Sequence, residues 1–479
     1  MKVKKKEIVR DVLFLLISLI SSVICFTSNE AGYSYMFILP LAFNMCFLVG
    51  LKSIIGMQGS IFCNVFTMIA FLRYVILPPI TVHTKYYLAY TKYTPTSNER
   101  NFAVFLMAYE LIAVTVTIVI MYKKDKALSV GQLINGGYKY RYEKWHVVTI
   151  LTILLICIVS LLNSAVISQF NFITPSLTNA LNYSDNYRFY EDTSAMVKLL
   201  AIVFNVFLTL IFINAMIKYA IKYKKTNNYF YFIVSTACGL LNIVIYQGAN
   251  RSAMMIKGIA TVILLLVLFP KKKKQLLCFF SIVIFSVLIL ISSARNHDVL
   301  SSALKIAKTL DEYVAGPEDV AVAMHIDKYS GNAGKLIHFI YDLCRPIIGL
   351  GSLIKTDTIM TTPEMYNYVI YGSTEGASIL PFIGQGYYYL GFLLAPILEM
   401  VFVGIANCIE KNMKKGRNLL MTYFWIFIVV RMGFFMAQNS YIQINSLFVF
   451  YVIPALILKV NHILISQRKE GIRDMGDGN

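Results

Sequence analysis

The chain has 479 residues; 57% are hydrophobic, 14% are charged and the formal net charge is +19. A soluble globular chain carries roughly 25% charged residues, so the composition excludes a soluble domain and indicates an integral membrane protein. The basic excess does not indicate nucleic-acid binding, because the lysines cluster between apolar runs, as the positive-inside rule describes.

A spanning helix needs about 20 mostly apolar residues. By that criterion the sequence reads as an all-α, polytopic chain with about twelve spans. In order they are Val12–Thr27, Tyr35–Val49, Ile61–Leu77, Phe102–Met121, Val147–Ile167, Met196–Ile217, Tyr229–Tyr246, Ala253–Phe269, Leu276–Ser293, Tyr387–Ile405, Leu419–Met436 and Ile444–Lys459. The basic start, Met1–Arg10, precedes an apolar run with no clear cleavage site and reads as a retained first span. Pro381 and the glycines from Gly384 to Gly391 make the tenth span irregular, with a re-entrant start. The organisation is therefore spans 1–9 in residues 1–293, one large polar stretch at 294–378, spans 10–12 in 379–460 and a tail at 461–479.

Orientation follows from Lys and Arg. With the N-terminus inside, 28 of the 44 basic residues fall on the inner side, two lie within spans and 14 fall outside. Seven of those 14 belong to the long polar stretch, which its length exempts from the rule. The expectation is cytoplasmic termini, with Ala294–Ser378 as a large extracytoplasmic loop between the ninth and tenth spans.

That stretch carries seven basic and ten acidic residues. Leu300–Val314 shows weak helical periodicity, and Leu336–Leu350 is apolar enough to lie against a membrane. Tyr366–Tyr371 and Tyr387–Tyr389 are aromatic clusters. Interfacial tyrosines form belts at the headgroup level; the alternative is a sugar-stacking groove built from Gln385, Tyr387, Tyr388 and Tyr389.

Arginine is unevenly distributed. Five arginines are inside, and seven are outside or within the membrane: Arg73, Arg100, Arg188, Arg251, Arg295, Arg345 and Arg431. The planar guanidinium suits bidentate contact with phosphate oxygens, so Arg73, Arg251, Arg295, Arg345 and Arg431 are candidates for holding a pyrophosphate. Snorkelling to headgroups is the alternative for Arg73 and Arg431. Gly248 permits a turn before Arg251, and Asn250 and Ser252 can cap the helix that follows. Acid–base candidates are His297 and Asp298, two and three residues after Arg295, with His325, His338, Asp342, Glu364 and Glu375 further along. An ion pair to Arg345 is the alternative role for Asp342. No zinc spacing or phosphate loop occurs, and the eight cysteines form no Cys-x-x-Cys pair. No metal, nucleotide or other cofactor is expected.

Three short motifs carry a family resemblance: Gly248-Ala-Asn-Arg-Ser-Ala253 at a span start, Ser292-Ser-Ala-Arg-Asn296 opening the polar stretch, and Leu380-Pro-Phe-Ile-Gly-Gln-Gly-Tyr-Tyr-Tyr-Leu-Gly-Phe392. With a span pattern that matches over nearly the whole chain, the sequence resembles the bacterial polysaccharide repeat-unit polymerases of the Wzy type, related to the O-antigen ligases. The resemblance implies a multi-span glycosyltransferase of the bacterial cytoplasmic (inner) membrane that builds O-antigen, capsule or exopolysaccharide. Its substrate would be a polyprenyl-pyrophosphate-linked oligosaccharide, and a chain-length regulator would be a possible partner. It implicates Arg251 and Arg295. A flippase for the same lipid-linked sugar and a ligase for finished glycan are the alternatives. Glu110 and Glu399 are the main charges in mid-span.

Overall fold

The computed structural model describes residues 2–28, 30–56, 59–87, 92–124, 129–134, 145–172, 194–247, 251–295, 302–330, 335–354, 359–374, 379–415 and 418–476. These residues are mostly helical. A three-residue antiparallel pair, Phe170–Phe172 against Ile245–Gln247, is the exception.

Among the described residues, five helices are long and apolar enough to cross a membrane: Glu7–Thr27, Ile61–Thr84, Ser97–Tyr122, Ala195–Thr226 and Ser440–Gln467. Two bent pairs, Met254–Leu268 with Pro270–Val283 and Phe382–Leu394 with Ile397–Lys415, raise the number to seven if each pair is one span. Ile38–Val49, Val147–Leu162, Tyr229–Val244 and Leu419–Gly433 are shorter apolar helices. The helices thus describe a multi-pass membrane protein, with fewer full-length spans among the described residues than the twelve expected.

The expected tenth span, Tyr387–Ile405, is broken: its two halves meet at 107°. Gly391 adopts φ 75° and ψ 178°, a conformation essentially reserved for glycine. Pro396 then lacks the amide needed to continue a helix. The bend folds back closely, because a Cβ on Gly386 would lie 2.0 Å from the Ala395 carbonyl oxygen.

The described chain divides into two compact units, Met1–Gly131 with Asn296–Lys414 and Val429–Asn445, and Gln132–Arg295 with Lys415–Ile428 and Ser446–Asn479. In the first unit, helix Lys2–Thr27 leaves Leu13, Leu16, Ile20 and Val23 exposed, as suits a lipid-facing stripe. Its small polar residues face inward. Ser18 donates to the Pro40 carbonyl at 2.9 Å and Ser21 to the Val75 carbonyl at 2.7 Å, so neither hydroxyl is left unpaired.

Much of the polar stretch is folded rather than irregular. It contains helices Ala303–Val314, Pro317–Ser330, Lys335–Cys344 and Thr362–Tyr371. Ser302 caps the first. Thr361 and Glu364 form a reciprocal capping box on the last, and Gly372 ends it at φ 74°. Val322, Ala323 and Ile326 pack with Met365, Tyr366, Ile370, Leu380 and Tyr388 in one buried cluster. This cluster holds the polar stretch against the start of the broken helix. Leu336, Ile337 and Ile340 of helix Lys335–Cys344 are exposed while Tyr341 and Asp342 are buried, which gives that helix an apolar outer side.

In the second unit, Ala195–Thr226 and Tyr229–Val244 form a helical hairpin. Asn227 turns it in the left-handed region at φ 54°, and the Asn228 side chain caps the second helix. Some buried polar groups are paired across helices. The Asn242 amide donates to Thr261 at 3.1 Å and to the Tyr423 hydroxyl at 2.9 Å, and Lys257 donates to Asn205 at 2.8 Å.

Candidate functional site

The most connected polar centre near the sequence-derived candidates lies in the first unit, at Asp342. Helix Lys335–Cys344 turns this residue inward while its apolar side faces out, so the carboxyl is fully buried. Its Oδ1 accepts the Thr362 backbone amide at 2.8 Å. Its Oδ2 accepts the Thr362 hydroxyl, the Gln385 amide at 2.5 Å and the Tyr389 hydroxyl at 3.3 Å. Gln385 is itself held at both ends of its amide: Oε1 accepts from the Ser440 backbone at 3.0 Å and Nε2 donates to the Ser440 hydroxyl at 2.7 Å. Two distant segments, at Thr362 and at Gln385 with Tyr389, thus bond one carboxyl group, and a third, at Ser440, holds Gln385 in place.

Burial pushes the Asp342 carboxyl up to about 6, against the opposing pull of hydrogen bonds from Thr362, Gln385 and Tyr389. A carboxyl that titrates near neutral pH can exchange a proton under working conditions. Tyr389 is half-buried and also lies 2.8 Å from the Thr362 hydroxyl. Its ring packs on Phe339 and Tyr388. The Tyr389 hydroxyl therefore links the enclosed carboxyl to a half-buried side chain.

The other groove candidates divide. Tyr388 is a core residue, 2% exposed, beneath the Lys335 ammonium, which lies 5.2 Å from its ring centre. Tyr387 is half-buried and packs edge-on against Phe102. Gln385 is fully buried and serves the Asp342 network.

The arginines occupy separate surroundings. Arg73 is completely buried in a π-helical turn, Leu72–Ile76. Its Nη1 meets both Glu110 oxygens at 2.8 and 3.0 Å, and its Nε donates to the Ala315 carbonyl at 2.8 Å. It is neither snorkelled nor open to a soluble anion. Arg431 is buried near the end of helix Leu419–Gly433, and its Nε has no hydrogen-bond partner. Arg345 donates from Nη1 to the Gly351 carbonyl at 2.9 Å, while its buried Nε is also unpartnered. Asp342 is bonded to Thr362, Gln385 and Tyr389 rather than paired with Arg345. Arg100 bonds Glu318 and lies over the Tyr87 ring, 4.5 Å from its centre.

Arg251 begins helix Arg251–Leu268 and Arg295 ends helix Lys273–Arg295, both in the second unit. Their side chains lie outside the described residues, as do Arg188, His297, Asp298 and Glu375. His325 stacks on Tyr93 with ring centres 3.7 Å apart, and burial lowers its basicity. His338 meets the Met360 carbonyl at 3.2 Å. Among the described residues no cluster of His, Cys, Asp or Glu could hold a metal ion.

Sequence reasoning did not find Thr362 or Ser440. Neither stands in a motif, and only packing shows that they complete the bonding of Asp342 and Gln385. Comparison with protein-family models, with characterised proteins and with solved structures returns no match, so the chemistry rests on the residues themselves.

Proposed function

We propose that this protein is a membrane glycosyltransferase that polymerises polyprenyl-pyrophosphate-linked oligosaccharide repeat units on the outer face of the bacterial cytoplasmic membrane. In this reading both termini are cytoplasmic, the chain crosses about twelve times, and Ala294–Ser378 covers the outer surface. The sugar at the reducing end of the growing chain leaves polyprenyl pyrophosphate. A hydroxyl of the incoming lipid-linked repeat forms the new bond to the anomeric carbon as the bond to phosphate oxygen breaks. The hydroxyl proton passes by way of Tyr389 to Asp342, and the pyrophosphate leaves with its charge balanced by a guanidinium group. Arg345, which shares a unit with Asp342, supplies that charge; the family resemblance implicates Arg251 and Arg295 in function. Neither metal nor nucleotide is needed for these steps.

One observation carries the reading. The Asp342 carboxyl, raised toward neutrality, is bonded to Gln385 and Tyr389 within the motif Leu380–Phe392, on which the resemblance partly rests. The test is incubation of purified protein with a defined lipid-pyrophosphate repeat, with product length read on a gel. A ladder of multiples is expected; recovery of the single repeat alone overturns the assignment.

A second reading, transport of the lipid-linked sugar, draws on the buried mid-span acids Glu110 and Glu399. A deletion strain separates the two. Single repeats on the outer leaflet indicate a polymerase, and single repeats on the inner leaflet indicate a flippase. Long lipid-linked polymer left untransferred indicates a ligase.

A further inference from the structure

Arg73, Glu110 and Glu399 are each 0% exposed. Glu110 accepts Arg73 at 2.8 and 3.0 Å and the Tyr74 hydroxyl at 2.7 Å, so both of its oxygens are engaged. Glu399 is near enough to Glu110 and Arg73 to feel both charges, yet neither of its oxygens has a donor. The titratable groups acting on one another here are Arg73, Tyr74, Glu110 and Glu399. With both acids ionised, one guanidinium faces two carboxylates, leaving a net negative charge among fully buried side chains. Such a charge is far more costly in an apolar interior than a neutral group. Two carboxylates in contact also repel, whereas a carboxylic acid donates a hydrogen bond to a carboxylate.

We propose that Glu110 and Glu399 form a proton-binding site inside the membrane, in which Glu399 carries the proton and donates it to Glu110. The cluster is then neutral: one guanidinium, one carboxylate, one carboxylic acid. The proton turns one Glu399 oxygen from an acceptor without a donor into a donor to Glu110. The site is independent of the glycosyltransferase reading.

The experiment is infrared spectroscopy of the full-length protein in lipid at neutral pH, with 13C-labelled glutamate to assign the carboxylic-acid C=O stretch. Wild type is expected to show a buried glutamic-acid band that E399Q loses, while E399Q keeps wild-type yield because the amide mimics the protonated acid. In E110Q the same band is expected to vanish, because Glu399 is then free to ionise against Arg73. Absence of the band in wild type overturns the proposal. So does its persistence in E399Q, or its loss on adding sodium ions at fixed pH, which would identify a metal cation as the occupant.

Discussion

The Gln385 amide nitrogen lies 2.5 Å from the Asp342 carboxylate although 43 residues separate them in sequence. That bond joins the folded polar stretch to the start of a broken apolar helix. Gln385 also reaches the Ser440 hydroxyl at 2.7 Å. One amide thus holds three segments in register around a carboxyl group that is ready to exchange a proton.

Replacing Asp342 with Asn removes the proton acceptor but keeps the shape. Polymer formation by D342N is expected to fall by about 100-fold or more, the scale of general acid–base catalysis, with wild-type protein levels in the membrane. Chain-length analysis of the purified variant checks this. Activity within a few-fold of wild type would remove Asp342 from the mechanism.

The same residue predicts a pH dependence of stability. Its folded-state carboxyl titrates at about 6, above the ordinary 3.8. The folded state therefore binds a proton more tightly than the unfolded state does. Stability from this group is fully present below the ordinary carboxylate range and is lost as pH rises through about 6. The shift corresponds to about 3 kcal/mol at most. Thermal unfolding in detergent is expected to weaken between pH 4 and pH 7, with this slope reduced in D342N; equal slopes in the two proteins would contradict the assignment.

Removing Arg73 alone leaves Glu110 buried without its cation. R73A is expected to cost about 3–5 kcal/mol, the usual scale for breaking a buried pair. The double variant R73M/E110L, which removes both charges, is expected to recover a large part of that loss. Melting temperatures of the three proteins decide the matter, and a double variant no more stable than R73A would refute the charge argument.

Gly391 sits at φ 75° and ψ 178°. G391A is expected to cost about 1–3 kcal/mol, because a side chain there is strained even though space is available. The Cβ of G404A meets only the end of the Met121 side chain, at 3.6 Å, so this variant is the control and should stay close to wild type. A G391A protein that melts with wild type would mean that the bend does not depend on this glycine.

In the glycosyltransferase reading, R251A and R295A are each expected to abolish long polysaccharide while the protein remains in the membrane. Polysaccharide gels and membrane immunoblots from the two strains provide the check. Normal chain length in both would sever the link between these arginines and function.

The sequence alone determined that this is a multi-pass, helical membrane chain, because apolar runs are local and lipid accepts helices with satisfied backbones. It also marked the tenth span as irregular through Pro381 and the glycines from Gly384 to Gly391, which act on their own backbone, while the structure places the bend at Gly391 and Pro396. Tertiary structure decided the partners. Arg73 has an acid 37 residues away, and Asp342 bonds Thr362, Gln385 and Tyr389 instead of the nearby Arg345. Burial is a property of packing, so neither the raised Asp342 carboxyl nor the meeting of Glu110 with Glu399 could be read from spacing. Hydrogen bonds and charges act through space, and the chain's linear order records only which groups are available.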